Sequence, residues 1–279
     1  MSDVRVLERS RFPPLLRAIY DPPARLYVRG GDEAVLELPM VAVVGARSCS
    51  PYGAQVARRL GRELAAAGLV VVSGLARGID GEAHRGALDA GGLTVAVLGC
   101  GVDRDYPASH ATLAERIRER GLIVSEYEPG VEPAPWRFPA RNRIIAGLSA
   151  ATVVVEARER SGALITADLA LEEGRDVLAV PGEITSSLSA GSNALLKLGA
   201  APCTCAEDVL ELFGLARRDP VAPDVSQPAA AILAALPGPA DELARATGLA
   251  ASAVAVALAE LELAGLASEG DGVYRAATV

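Results

Sequence analysis

Two stretches of this sequence gather residues able to hold an anion or a flat ring. In Ser73-Gly-Leu-Ala-Arg-Gly-Ile-Asp80, Gly74 and Gly78 flank Arg77 just ahead of a helical run. Glycines let a backbone approach an anion, a helix N-terminus offers free N–H groups and partial positive charge, and Arg77 can add a forked contact. A phosphate is therefore one ligand this loop fits. The same residues also suit a plain strand-to-helix turn in which Ser73 and Asp80 cap the helix. The second stretch is Trp136-Arg-Phe-Pro-Ala-Arg-Asn-Arg-Ile-Ile-Ala-Gly147, with two aromatic rings beside three arginines and an asparagine. Base stacking needs an exposed ring, and tracking a strand needs positive groups along a groove. On a helix starting near Pro139, Arg141 and Arg143 diverge too far in angle to serve one phosphate. The alternative is that Trp136 and Phe138 cover a sheet edge while the arginines are solvated.

Other chemistries are poorly served. Asp80 and His84 stand four apart on one helix with Ser73 nearby, which superficially resembles a triad, but no G-x-S-x-G elbow accompanies them. The pair is expected to clamp together and hold the loop, with no catalytic residue among them. It is at most half of a metal site. With two histidines, and cysteines at 49, 100, 203 and 205 that form no C-x-x-C, neither a metal nor a cofactor is expected. A dinucleotide enzyme needs G-x-G-x-x-G after its first strand. Here that strand runs into Gly45-Ala-Arg-Ser-Cys-Ser, and Gly99-Cys-Gly101 reaches Arg104 where a third glycine belongs. A P-loop is absent too, because Lys197, the single lysine, follows Leu196.

The elements that must carry these loops alternate. Val41–Val44, Leu69–Val72, Thr94–Leu98, Leu122–Ser125, Thr152–Val155 and Val177–Val180 read as strands buried on both faces. Between them, Gly53–Ala67, Ile79–Ala90, Ser109–Arg120 and Leu164–Glu173 are amphipathic and long enough for right-handed crossovers. The pattern predicts an α/β fold with a Rossmann-like, doubly wound, mostly parallel sheet over residues 39–215. Ligands of such sheets bind beyond the carboxyl ends of the strands. The loops to watch are therefore Gly45–Ser48, Ser73–Asp80, Gly99–Gly101, Ser125–Tyr127, Glu156–Gly162 and Pro181–Gly182. A charged, proline-bearing linker is expected over 216–227. Pro228–Ala235, Pro239–Thr247 and Ala251–Ala264 then read as helices, with a hairpin over Ser268–Arg275 turning at Gly270-Asp-Gly272. Three helices and a wing predict a small C-terminal winged-helix domain over 228–279.

The 279 residues are 51% hydrophobic but only 4% aromatic, so the core is built of Ala, Val and Leu. Leu64–Val72, the longest uncharged apolar run, is far too short to span a bilayer. Charges at Asp3, Arg5, Glu8 and Arg9 argue against a signal peptide, so the cytoplasm is the expected compartment. A net charge of −8 excludes a globally basic coat and leaves room for a local basic groove. The positive charge is almost all arginine, which suits forked phosphate contacts and ring stacking, although a GC-rich genome gives the same bias.

Several runs together resemble one family. They are Val44–Arg47, Pro51–Gly53, Ser73–Asp80 with Ala83-His84, Val97–Gly101, Tyr106-Pro107, Ser125-Glu126, Phe138–Gly147, Glu156, Arg160–Ala167 and Val180–Gly182. From about Arg11 to Gly214 the sequence is similar to the DNA-processing protein DprA (Smf) family, many of whose members carry a trailing winged helix. The resemblance implies a non-enzymatic protein of natural transformation that binds and protects incoming single-stranded DNA and helps load the RecA recombinase. It also implies a homodimer formed through the sheet domain. Carried over, Arg47, the Ser73, Gly74 and Arg77 loop, Arg141, Asn142, Arg143, Arg160, Ser161 and Gly162 would hold phosphates or base edges, and Phe138 would stack a base. Residues 1–38 are too short for the helix-hairpin-helix or SAM-like domain that many members carry there, and are expected to form a short extension. Related phosphoribohydrolases keep the fold but act on small nucleotides through a P-G-G-x-G-T-x-x-E stretch. Pro181-Gly-Glu-Ile-Thr-Ser-Ser-Leu departs from that pattern. A third reading is a transcription regulator acting through the winged helix, but the third helix of that domain contains neither Arg nor Lys.

Overall fold

Short β-branched runs that are apolar on both sides can be strands only where both sheet faces are covered. The computed structural model, which describes residues 4–215, 225–270 and 272–276, has this arrangement. Its strands are β1 (Arg5–Glu8), β2 (Arg25–Gly30), β3 (Met40–Val44), β4 (Val70–Ser73), β5 (Thr94–Val97), β6 (Leu122–Ser125), β7 (Ala151–Val154), β8 (Asp176–Ala179) and β9 (Ala201–Pro202). They lie in the order β1-β2-β6-β5-β4-β3-β7-β8-β9. From β6 through β9 all neighbours are parallel, while β1 and β2 add antiparallel. The six strands expected from the sequence are β3 to β8.

The chain winds outward from β3 through β4 and β5 to β6, then returns to the other side of β3 as β7. The switch point therefore lies between β3 and β7, whose carboxyl ends open a crevice. Helices α2 (Pro51–Ala66) and α3 (Ile79–Asp89) cover one face through Ala57, Leu60, Leu64, Ile79 and Ala83. Gly86 lets these two helices meet backbone to backbone, since a Cβ there would strike the Arg58 carbonyl. Helices α1 (Pro14–Ala18), α5 (Arg137–Leu148) and α6 (Gly162–Glu172) cover the other face, burying Leu16, Ile144, Ile145 and Ala167. Helix α4 (Ala111–Arg120) packs near β6 through Leu113 and Ile117. Helices α7 (Ala190–Lys197) and α8 (Glu207–Leu210) lie on opposite faces beside β8, through Leu195 and through Val209 and Leu210.

One domain boundary needs correction. Residues 5–30 are not an extension: β2 pairs with β6 and β1 with β2, and Leu7, Leu26 and Val28 lie in the main core. Residues 4–215 form one compact unit, and those from 225 onward belong to a second. Of the linker expected over 216–227, residues 216–224 lie outside the described residues, and Ser226 already caps the next helix through a hydrogen bond from the Ala229 N–H.

That second unit contains α9 (Gln227–Ala235), α10 (Ala240–Thr247), α11 (Ala251–Leu263) and the hairpin of β10 (Ala267–Gly270) and β11 (Val273–Ala276). Ile232, Leu243, Val254, Leu258 and Leu261 form its own core, giving the expected winged helix. Asp271, in the expected hairpin turn, lies outside the described residues. No single helix among the described residues is long and apolar enough to cross a membrane.

Candidate nucleic-acid interface

Two adjoining cavities open at the carboxyl edge of the sheet. The first, about 370 Å³, lies at the switch point between the loop after β3 (Gly45–Ser48), α5, and the Arg158–Gly162 loop leading into α6. The second, about 310 Å³, lies between the loops after β4 and β5 and is lined by Gly74, Arg77, Gly99 and Tyr106 among others. Arg47, Phe138 and Arg141 border both.

Helix N-termini near this edge are natural anion sites, yet the fold fills one of them itself. At α2 the buried Glu156 carboxylate accepts from the Ser50 N–H (2.9 Å) and Ser50 Oγ (2.5 Å). A Cβ on Gly53 would collide with the same carboxylate. In dinucleotide folds the pyrophosphate occupies the N-terminus after the first central strand. Here a protein carboxylate already stands there, which is the physical counterpart of the missing glycine signature.

The Ser73–Asp80 loop is held from within. Asp80 does not cap α3; its carboxylate turns back to accept from the Gly74 and Ala76 N–H groups (3.1 and 3.4 Å). Burial pushes its pKa up, against the opposing pull of Arg141 and these amides. Ser73 is fully buried and donates to the Val43 carbonyl (2.7 Å), so it neither caps the helix nor faces a ligand. Arg77 is exposed at the second cavity. The expected Asp80–His84 clamp is not formed. Thr94 Oγ1 donates to the Val71 carbonyl and therefore accepts from His84 Nδ1 (2.6 Å). That tautomer leaves His84 Nε2 buried without a partner among the described residues. Burial holds the His84 pKa down at about 3. Asp80 thus binds amides of its own loop, and His84 ties α3 to β5.

The N-terminus of α6 has no side-chain cap and borders the first cavity. Ser161 makes no capping bond, its Oγ has no partner among the described residues, and Gly162 is exposed beside the first cavity. Asn142 Nδ2 donates to the Gly162 carbonyl (3.0 Å) and fixes that turn. Arg158 lines the cavity from the same loop; Arg160, also exposed, lies outside the lining at φ 58°. Among the described residues Arg47, Arg77, Arg158 and Arg160 form no ion pair.

Two arginines assigned to ligand contact do something else. Arg141 is 4% exposed and donates to the Gly74 carbonyl (2.8 Å), the Val97 carbonyl and Asn142 Oδ1 (3.0 Å). Burial lowers its pKa to about 10 against the attraction of Asp80. It is a cation beneath both cavities, with its Nη1 already engaged by two carbonyls and its Nε by Asn142. Arg143 points away, held in a two-bond pair by Glu126 (2.7 and 2.6 Å) and by Asp21 (3.0 Å). It fastens α5 to the N-terminal segment.

Phe138 is half-buried at the cleft. Its ring stacks on Tyr106 with centroids 5.4 Å apart at 22°, and the Arg47 guanidinium lies 5.0 Å from its centroid. Trp136 stands apart, 63% exposed, edge-on to Tyr127 with Arg137 over its ring. Sequence reasoning passed over Arg158, Tyr106 and the capping role of Glu156. Arg158 and Glu156 sat in a loop already marked by its position after a strand, and Tyr106 stood in a motif with no role attached. Among the described residues no cluster of His, Cys, Asp or Glu is placed to hold a metal.

Comparison with known proteins places residues 3–214 in the family described as DNA recombination-mediator protein A, and residues 216–272 match the DprA winged helix domain. The chain is 48% identical over 246 residues to the putative DNA processing protein DprA of Mycobacterium tuberculosis, an alignment covering 84% of this chain and 63% of that protein. It thus spans less than two thirds of that relative's length. Protein Smf of Escherichia coli is 42% identical over 278 residues, covering 94% of this chain and 74% of that one. The X-ray structure of DprA from Streptococcus pneumoniae superposes with a TM-score of 0.72 at 45% identity, covering 75% of this chain and 74% of its own. The Helicobacter pylori DNA processing protein A, described for its unique single-stranded DNA binding mode, superposes at 0.69 with 32% identity, covering 76% and 98%.

Proposed function

Because the chain belongs to the DNA recombination-mediator protein A family, we propose that it binds single-stranded DNA in the cleft between the carboxyl ends of β3 and β7. The observation that carries this is the conjunction at one sheet edge of an uncapped helix N-terminus, exposed arginines without ion pairs among the described residues, and an aromatic ring. A phosphate fits the α6 N-terminus beside Arg158 and Arg47, where N–H groups and charge both favour an anion. Phe138 offers the adjoining base a stacking surface. Arg77 and Arg160 extend the positive track to either side, and Arg141 adds its charge from below.

In the cell this activity would protect an incoming strand during natural transformation and help load RecA onto it, in the cytoplasm and as a homodimer built on the sheet domain. The protein is a binder rather than an enzyme in this reading. Its candidate acid–base groups are engaged: Asp80 by loop amides, Glu156 by Ser50, and His84 by Thr94 in the uncharged state.

A mobility-shift titration with single-stranded and duplex DNA of equal length tests the reading. Preference for the single strand, with little dependence on its sequence, is expected. Equal affinity for a blunt duplex contradicts it, and release of free base from a nucleoside monophosphate would instead reveal an enzyme.

A further inference from the structure

The ring that offers a stacking surface is not free. Tyr106 lies against Phe138, and the Arg47 guanidinium lies over it at 5.0 Å. The three groups differ in how easily they yield. Tyr106 and Phe138 are short, two-torsion rings next to Pro107 and Pro139, and a Cβ on Gly99 would come within 3.0 Å of the Phe138 ring. Arg47 is an exposed, long side chain on the loop after β3, with no ion pair among the described residues. It borders both cavities together with Phe138, so it stands on the threshold between the open α6 N-terminus and the space beside the ring.

We propose that Arg47 is the specificity-determining residue of the cleft: it screens the Phe138 ring until a backbone phosphate draws it away, so that only a base carried on a phosphate-bearing strand gains the stacking surface. This deepens the strand-binding reading and rests on it. A guanidinium over an aromatic face is held by the ring quadrupole. A phosphate offers the same fork a full opposite charge and a two-bond geometry, and is the stronger partner. Once the guanidinium turns to the phosphate, the ring beside the second cavity is uncovered for the neighbouring base. A nucleoside without phosphate has nothing with which to move the arginine and meets a covered ring. The cleft thereby rejects the free bases and nucleosides that any bare aromatic platform would take up, using a repulsive element as well as an attractive one.

The test uses the full chain, with Arg47→Ala, Phe138→Ala and the double variant, each checked by thermal melting. The probes are adenosine, followed by ligand-observed NMR, and a single-stranded oligothymidylate, followed by fluorescence anisotropy. Arg47→Ala should bind the oligonucleotide about tenfold more weakly, the loss of one charge-assisted contact. The same substitution should bind adenosine more strongly than the unaltered protein, and the double variant should lose that gain. Opposite signs for the two probes support the proposal. If Arg47→Ala weakens or leaves unchanged the binding of adenosine while the oligonucleotide is still lost, the screen is overturned and the strand site stands. If neither Arg47→Ala nor Phe138→Ala changes oligonucleotide affinity in folded protein, the strand-binding reading itself fails.

Discussion

Arg141 and Arg143 stand two residues apart, and both are largely committed within the fold: Arg141 is buried against two carbonyls beneath the cavities it borders, and Arg143 is held by acids. Asp21, one of the two acidic partners of Arg143, lies 122 residues away in the chain, so nothing local in the sequence marks that arginine as spoken for. Burial of Arg141 likewise depends on where β4 and β5 pass beneath α5, whereas Arg47 and Phe138 declare their chemistry by residue type alone. Arg47→Ala and Arg158→Ala should therefore each weaken strand binding with little change in melting temperature. Arg143→Ala should lower the melting temperature and leave affinity nearly unchanged, as anisotropy and melting curves run side by side will show. His84 gives a pH signature. Its folded pKa, about 3, lies below the ordinary value of 6.5, so below that value the unfolded chain takes up a proton that the native state refuses. Its contribution to stability is present above pH 6.5 and lost as pH falls toward the folded value. At pH 5 the loss should be about 2 kcal/mol. The urea midpoint of His84→Asn should accordingly fall less between pH 7 and pH 5 than that of the unaltered protein, and parallel falls would contradict this account.

Strands β3 to β8 were legible because each is a short β-branched run flanked by glycine or helix, and a parallel strand buried on both faces has no other pattern. Strand β2 was not. Arg25-Leu-Tyr-Val-Arg carries charge at both ends, as an antiparallel strand near a sheet margin does, and its pairing with β6 is set about a hundred residues later. At the cleft the decisive element is the N-terminus of α6. Ser161→Asp places a carboxylate where the proposal puts a phosphate. It should raise stability by about 1 kcal/mol as a better cap facing the helix dipole, and it should weaken strand binding. A variant that gains both stability and affinity would contradict the assignment of this terminus. Helix α11 makes the complementary case. Its exposed positions are Ala251, Ser252, Ala255, Val256, Ala259, Glu262 and Leu263, which offer no cation to a phosphate and almost nothing to a base edge. A chain ending near Gly214 should keep most of its single-strand affinity in the mobility-shift assay, while the piece from Ser226 to the end should bind neither single strand nor duplex at physiological salt.

The net charge of −8 is reconciled with a polyanionic ligand by placement. Among the described residues of the first unit nine arginines pair with acids; Arg47, Arg77, Arg158 and Arg160, without ion pairs, gather at one edge of the sheet, while other unpaired exposed arginines such as Arg9, Arg17, Arg25 and Arg120 belong to other segments. Glu156 and Asp80, two carboxylates at that edge, are turned inward onto backbone N–H groups, while Glu159 stays exposed between Arg158 and Arg160. A doubly wound sheet brings together the loops after β3, β4, β5 and β7, which are scattered over more than a hundred residues of sequence. That is why the loops could be nominated from strand positions while their grouping into two cavities could not. Phosphates of a single strand are thus expected to be held at this edge by those arginines. The most direct test is the salt dependence of oligothymidylate binding, measured by anisotropy for the unaltered chain and for Arg158→Ala. Each phosphate contact contributes about 0.7 to the slope of log affinity against log salt. Arg158→Ala should therefore bind more weakly and show a slope shallower by about that amount, and an unchanged affinity with an unchanged slope would contradict the claim.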